Sequence, residues 1–457
     1  MDLLWFVNLA LLVLTVLMLA VSYARGTMDL FSFQSAFQAG MILFFYIPFL
    51  LVPYFPELRW PYIPNGSGNA NMAGALVLFN VVYHIFGALG KRANWPDRVT
   101  PTYAFLPVNI PALAVMTTGM LVSSILILAL ALDPGAMNLF GAVMIGLIPM
   151  LGAFACGLAT LMVIRQYLNV LWYVVLAGVF VAAILASTSF SNDRRFALGV
   201  LISVPWMLYY GLLRFKGKPL TIGVSAVGGV LTLGFVMVYS SFRHDIAASA
   251  ENVGQRVEQF QDAKLGNALD VNLAIGLMLQ DSAYNSMYCV ENYPGAKDHR
   301  PLHGLMYMLT NPIPRAVFPA KPMALGMLMQ EELNAAANLG PGIIGHGWME
   351  AGWLGVIYYA AFFGFGIAAA DKLIRGRSNN PYFIAAMGSS MGNVLALPRG
   401  ETALFMVLIV FGLIGIWIFS WIIAKTVGAF TMSTPPFEFG EAGTQELSDG
   451  FEDNSQV

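Results

Sequence analysis

Apolar residues run in long blocks along this chain, and most polar residues are confined to the joins between the blocks. A helix needs about 20 such residues to cross a bilayer. The pattern predicts about eleven spanning helices, near 2–22, 31–53, 71–89, 107–132, 137–163, 167–188, 195–213, 220–240, 343–370, 381–397 and 402–424. The expected fold is an all-α polytopic membrane protein. The tenth block contains AAMGSSMGNVLAL, short and rich in Gly, Ser and Met, which suits a helix buried among others or a broken, re-entrant segment. The N-terminal run lacks the cationic start and small-residue cleavage site of a signal peptide, so it reads as the first span. The chain then divides into N-terminal transmembrane helices (1–240), a long polar loop (241–342), C-terminal transmembrane helices (343–425) and a tail (426–457). The tail is acidic, has no Lys or Arg, and is expected to be disordered.

Lys and Arg in the short loops set the orientation. With the N-terminus outside, Arg25, Lys91, Arg92, Arg98, Arg165, Arg214, Lys216, Lys218, Lys372, Arg375, Arg377 and Lys425 fall in the cytoplasm, leaving Arg59, Arg194, Arg195 and Arg399 in the short outer loops. The long loop is then outside. Its first part, 247–288, carries apolar residues at spacings of three and four, as in an amphipathic helix on or over the membrane. Further on, LGPGIIGHGWMEAGWLG reads as a glycine-rich loop entering a helix near Trp348.

Composition narrows the function. Of 457 residues 58% are hydrophobic and 11% charged, with a net charge of −2 and no basic face of the kind nucleic acid requires. The two cysteines, Cys156 and Cys289, fall in different environments and imply neither a disulfide framework nor a thiolate metal site. HExxH, GxxxxGK[ST] and GxSxG are absent, as are paired acids with metal-ligand spacing, so no metal or cofactor is expected. Apart from His84, the spans are almost free of the charged side chains that a transporter would place along a cavity.

Polar chemistry concentrates on the outer side. His244, His299, His303 and His346 all lie in or at the edge of the long loop. Within it, Thr310–Pro322 (TNPIPRAVFPAKP) packs four prolines around Arg315 and Lys321. Proline removes backbone donors and pushes the preceding residue toward extended geometry, so a stiff, extended, cationic strap is expected, suited to an anionic lipid. An arginine fork matches phosphate and a lysine adds a point charge; the competing reading is snorkelling toward headgroups. Arg194 and Arg195 sit at the outer mouth of the seventh helix, as headgroup anchors or anion ligands. Arg399, in LPRGET, has Glu401 beside it as a candidate partner. Glu350 lies near the start of the ninth helix, where a carboxylate is costly unless paired or protonated, which marks it as a functional candidate; the competing reading is a helix N-terminal acid stabilised by the macrodipole. His346, four residues earlier, shares its face if the helix has begun by then.

The segments NPIPRAVFPAKP, GPGIIGHGWMEAGWLGV and PRGE together resemble the oligosaccharide repeat-unit polymerases, the O-antigen polymerase (Wzy-like) family, over the last half of the chain. The resemblance implies a GT-C-like, metal-independent membrane glycosyltransferase in the bacterial inner membrane, with the long loop periplasmic. It would polymerise undecaprenyl-diphosphate-linked oligosaccharides into O-antigen, exopolysaccharide or capsule, with membrane lipid and a chain-length-regulating membrane protein as partners. On that reading Arg194, Arg195, Arg315, Lys321 and Arg399 bind diphosphate, Arg315 also contributes to catalysis, and Glu350 or His346 is the base. The nearest alternatives are an O-antigen ligase and a flippase of lipid-linked oligosaccharide.

Overall fold

The structure is a computed structural model describing residues 3–51, 65–94, 106–131, 134–189, 194–245, 282–335 and 339–431, with a few positions in the joins. The amphipathic stretch up to residue 281, the acidic tail from 432 and most of the 54–70 turn lie outside the described residues.

Every apolar block expected to span is helical. In chain order the helices are α1 (Leu3–Ala24), α2 (Phe33–Leu51, with a π turn at Ile42–Tyr46), α3 (Asn69–Arg92), α4 (Ile110–Ala131), α5 (Pro134–Arg165), α6 (Val170–Ser189), α7 (Arg194–Gly211) and α8 (Lys218–Asp245). Then come α9 (Ser282–Asn292), α10 (His303–Thr310), α11 (Leu325–Glu332), α12 (Gly342–Gly376), α13 (Pro381–Ser389), α14 (Met391–Ala396) and α15 (Thr402–Thr431). Among the described residues there is no strand, and nine helices are long and apolar enough to cross a membrane. The protein is a multi-pass membrane protein.

The bundle is organised around α5, whose residues 146–162 are all buried and which packs on α4, α6, α7, α13 and α15. A column of rings (Phe37, Phe79, Tyr83, Phe363) ties α2, α3 and α12 together, with Phe37 and Tyr83 stacked at 5.0 Å. At the end assigned to the cytoplasm, Asp371 accepts hydrogen bonds from Phe33 N at 2.7 Å and Gln34 N at 3.0 Å, capping α2 across the bundle. Arg375 and Arg214 both pair with Asp29 there, at 3.1 and 3.4 Å.

The 381–397 block is broken, as its composition suggested. It forms two short helices, α13 and α14, which meet at Ser390 and are almost wholly buried. The Trp206 indole donates to the Ile384 carbonyl at 2.8 Å, fastening this broken segment to α7.

Two expectations are corrected. Helix α12 starts at Gly342, not near Trp348, so the glycine-rich stretch is helix and not loop. The helix then breaks where none was expected, at Ala351 (φ −158°, ψ 29°) and Gly352 (φ +57°, ψ −131°). In a straight helix His346 and Tyr359 would stand about 20 Å apart along the axis. Their ring centroids are 5.0 Å apart, so the chain folds back on itself. A Cβ on Gly355 would come 1.8 Å from the Gly347 carbonyl oxygen, so glycine is what permits the two halves to touch. The front half, 342–350, is buried throughout and too short to span; the rear half crosses the bundle beside α3.

The second correction concerns the proline segment, which is a run of turns and not an extended strap. Phe318–Lys321 closes a β-turn, Lys321 N to Phe318 O at 3.1 Å, with Pro319 at the position where turns favour proline.

Candidate functional site

The fold-back of α12 puts His346 and Glu350 on one face of its buried half, one helical turn apart. The turn at 398–401 is bonded to the start of that half-helix, Ile343 N donating to Pro398 O at 3.0 Å, and this brings Glu401 to the other side of the imidazole. His346 Nε2 lies 3.0 Å from Glu401 Oε1, and His346 Nδ1 lies 3.3 Å from Glu350 Oε1. The result is one imidazole held between two carboxylates, with His346 at 0%, Glu350 at 4% and Glu401 at 5% exposure. The Nε2 contact with Glu401 is a hydrogen bond, whereas the Nδ1 contact with Glu350 is a close approach without hydrogen-bond geometry.

Each carboxylate also receives a helix N-terminus. Glu350 Oε1 accepts from Gly304 N at 2.8 Å, near the start of α10, and Glu401 Oε2 accepts from Gly326 N at 2.6 Å, near the start of α11. The N-cap positions of these helices are Leu302 and Ala324, which offer no side-chain acceptor, so the two glutamates take that role from a distance. The Tyr359 hydroxyl, returned by the fold-back, donates to Glu350 Oε1 at 2.7 Å. Glu350 Oε1 is thereby surrounded by donors, while Oε2 makes no hydrogen bond among the described residues.

A third carboxylate, Glu332, holds the loop down over this centre. Glu332 accepts from the Tyr288 and Tyr293 hydroxyls at 3.0 and 2.9 Å and pairs with Lys297 at 3.0 Å. Burial and the adjacent Glu332 push both phenols well above their usual pKa. The Trp348 indole donates to Tyr293 O at 2.8 Å, and Arg300 N to Met349 O at 2.9 Å, so the loop is stitched to the buried half of α12.

Of the cations expected to bind diphosphate, two act on the same phenol as Glu401. Tyr307, on α10, is held well above its usual pKa by burial and then by Glu401, while Arg315 and Arg195 act in the opposite sense. One phenol is thus within electrostatic range of Glu401, Arg315 and Arg195. The Arg195 guanidinium lies over the Phe405 ring at 4.0 Å and is largely buried. Arg399 lies over Phe44 at 5.9 Å, on the turn that carries Glu401. Glu401 itself, expected beside Arg399, directs its oxygens to His346 and Gly326. Arg194 begins α7, and its side chain is outside the described set.

Arg315 and Lys321 hold their own loop. Arg315 donates to the carbonyls of Lys321 at 3.0 Å and Pro322 at 3.4 Å, and the Lys321 ammonium donates to those of Asn311 and Ile313. Burial, with Arg315 nearby, lowers the Lys321 pKa. Arg315 remains solvent-exposed, whereas Lys321 is half-buried.

The sequence missed the role of Glu401, the hydroxyl of Tyr359 and the amides of Gly304 and Gly326. Only Glu401 left a signal, as an acid at the head of the last span. Among the described residues, no group of three His, Cys, Asp or Glu side chains has metal-holding geometry. Compared with protein-family models, curated proteins and solved structures, the chain matches none of them.

Proposed function

We propose that the protein is a membrane glycosyltransferase that polymerises undecaprenyl-diphosphate-linked oligosaccharide units at the periplasmic face of a bacterial inner membrane, with eleven membrane passes in a GT-C-like arrangement. The observation that carries the reading is the state of Glu350. Its Oε1 accepts from Tyr359 and Gly304 and lies 3.3 Å from His346 Nδ1, while among the described residues Oε2 makes no hydrogen bond, the arrangement a general base needs. The acceptor sugar hydroxyl gives its proton to Glu350 Oε2, and its oxygen attacks the anomeric carbon of the donor. The bond from that carbon to the lipid diphosphate breaks, and the electron pair leaves on the diphosphate oxygen. In this reading Arg195 and Arg315 face the developing charge, Arg194 at the start of α7 and Arg399 on the 398–401 turn are the further diphosphate ligands, and Lys321 fixes the loop that carries Arg315. His346 and Glu401 keep Glu350 oriented. A chain-length-regulating membrane protein is the expected partner, and no cofactor is needed.

The test is the surface glycan of a strain that lacks the gene. Single-repeat glycan, restored to long chains by wild type but not by Glu350→Gln at equal membrane level, supports the proposal. Accumulated lipid-linked polymer would assign a ligase, and repeat units trapped on the inner leaflet a flippase. Long chains made by Glu350→Gln would remove Glu350 as the base.

A further inference from the structure

At the opposite end of the bundle lies a cavity of about 340 Å³ between α1, α2 and α3. Its outer wall is α1, where Leu14, Leu17, Met18 and Val21 are exposed and therefore face the hydrocarbon of the bilayer. Its floor is polar, with Gln34 and Gln38 from α2 and His84 from α3. Lys91, in the last turn of α3, stands exposed at the mouth.

Two observations mark the floor as a binding surface. Gln38 is 2% exposed, its amide meets the Tyr83 hydroxyl, and its Oε1 has no hydrogen-bond partner. The buried His84 Nε2 is also without one. A buried acceptor left unpaired is costly, so polar groups of this kind at membrane depth imply a visiting donor. The volume lies in the range of small-ligand sites. An apolar wall open to lipid, a cation at the mouth and unpaired polar atoms at the floor are complementary to an amphiphile.

We propose that this cleft binds one phospholipid of the cytoplasmic leaflet, with its phosphate on Lys91, its hydroxyl- or ammonium-bearing head group donating to Gln38 Oε1 and His84 Nε2, and an acyl chain along α1. This site is separate from Glu350 and stands whether or not the protein is a glycosyltransferase.

The experiment is native mass spectrometry on full-length protein in detergent, titrated with phosphatidylglycerol, with undecaprenyl phosphate and inorganic phosphate as separate arms. One phosphatidylglycerol is expected to remain per chain after the annular lipid is stripped. Gln38→Leu should weaken it about tenfold and Lys91→Gln severalfold. Val21→Trp, on the lipid-facing wall and away from buried packing, should block the cleft and abolish retention even if Gln38→Leu folds poorly. The proposal is overturned if no phospholipid is retained, if all three folded variants retain it as wild type does, or if inorganic phosphate or undecaprenyl phosphate binds the cleft in preference to phosphatidylglycerol.

Discussion

Gly304→Ala tests the central contact of the site with one added carbon. A Cβ there would lie 2.4 Å from the Tyr359 hydroxyl, 2.5 Å from Glu350 Oε1 and 2.7 Å from His346 Cε1, against the 3.4 Å at which ordinary contact begins. Two of these groups are fixed by their bond to each other, so α10 must give way, by 1.0 Å at the closest pair (3.4 less 2.4). Moving outward by that much stretches the Gly304 N to Glu350 bond from 2.8 Å to about 3.8 Å, past hydrogen-bond reach. Losing a hydrogen bond to a charged group costs about 1.5–3 kcal/mol, equivalent to roughly 10- to 150-fold in local opening of α10. Hydrogen exchange at Gly304 and along α10 should accelerate by that factor, and under the proposed function the glycan ladder should shorten at normal protein level. Gly295→Ala is the control, because a Cβ there meets nothing within 4 Å. Exchange in Gly304→Ala indistinguishable from that in Gly295→Ala would refute the close packing of α10 on Glu350.

The other expectations concern the fold-back, the buried arginine, a thiol and the proposed base. Gly352→Ala places a side chain at φ +57°, ψ −131°, and should cost about 1–3 kcal/mol, read as a lowered melting temperature, while Gly366→Ala, with open space around it, should melt as wild type; equal melting of the two would sink the break at Gly352. Arg195→Lys keeps the charge but loses the planar stack on Phe405, so about 1 kcal/mol of stability should go; an unchanged melting curve would show that the stack contributes nothing. Burial first, then Glu332, push the Cys289 thiol well above its usual pKa, so at pH 7–8 it stays protonated, and maleimide should label it only after denaturation; rapid labelling of native protein would contradict the burial. Glu350→Gln can keep its amide oxygen on Gly304 and Tyr359 and should stay folded, with long glycan chains lost under the proposed function, whereas Glu350→Ala removes the cap and should also destabilise α10. Two variants equally stable would show that Glu350 does not cap the helix.

The fold was legible where the bilayer dictates it. Each long apolar block is a helix because unpaired backbone in lipid leaves the chain little choice, and the Gly- and Ser-rich tenth block announced its own break. The break in α12 was hidden for the opposite reason. Hydropathy continues through Ala351 and Gly352 without interruption, and the glycines of 340–355 read as loop when several of them are there for close approach, Gly347 on Gly355 above all. His346 could share the face of Glu350 only if the helix had begun before it, which the start at Gly342 now supplies. The role of Glu401 was not legible, because the contact that defines it is with a residue 55 positions away, and sequence offered only the adjacent Arg399.

The proline segment and the two glutamates are solved by the same backbone arithmetic. Four prolines in Thr310–Pro322 delete four N–H donors but no carbonyl, so the segment carries an excess of acceptors. Arg315 and Lys321 supply the missing donors from within, to the carbonyls of Asn311, Ile313, Lys321 and Pro322. Helices α10 and α11 have the reverse surplus, donors at N-termini that begin after Leu302 and Ala324 and so lack local acceptors. Glu350 and Glu401 supply those from the membrane-facing core below. Charge in the loop is therefore first a matter of completing backbone hydrogen bonds, and a catalytic role can fall only on the atoms that this completion leaves over. At Glu350 that atom is Oε2, and at Arg315 it is the exposed remainder of the guanidinium fork.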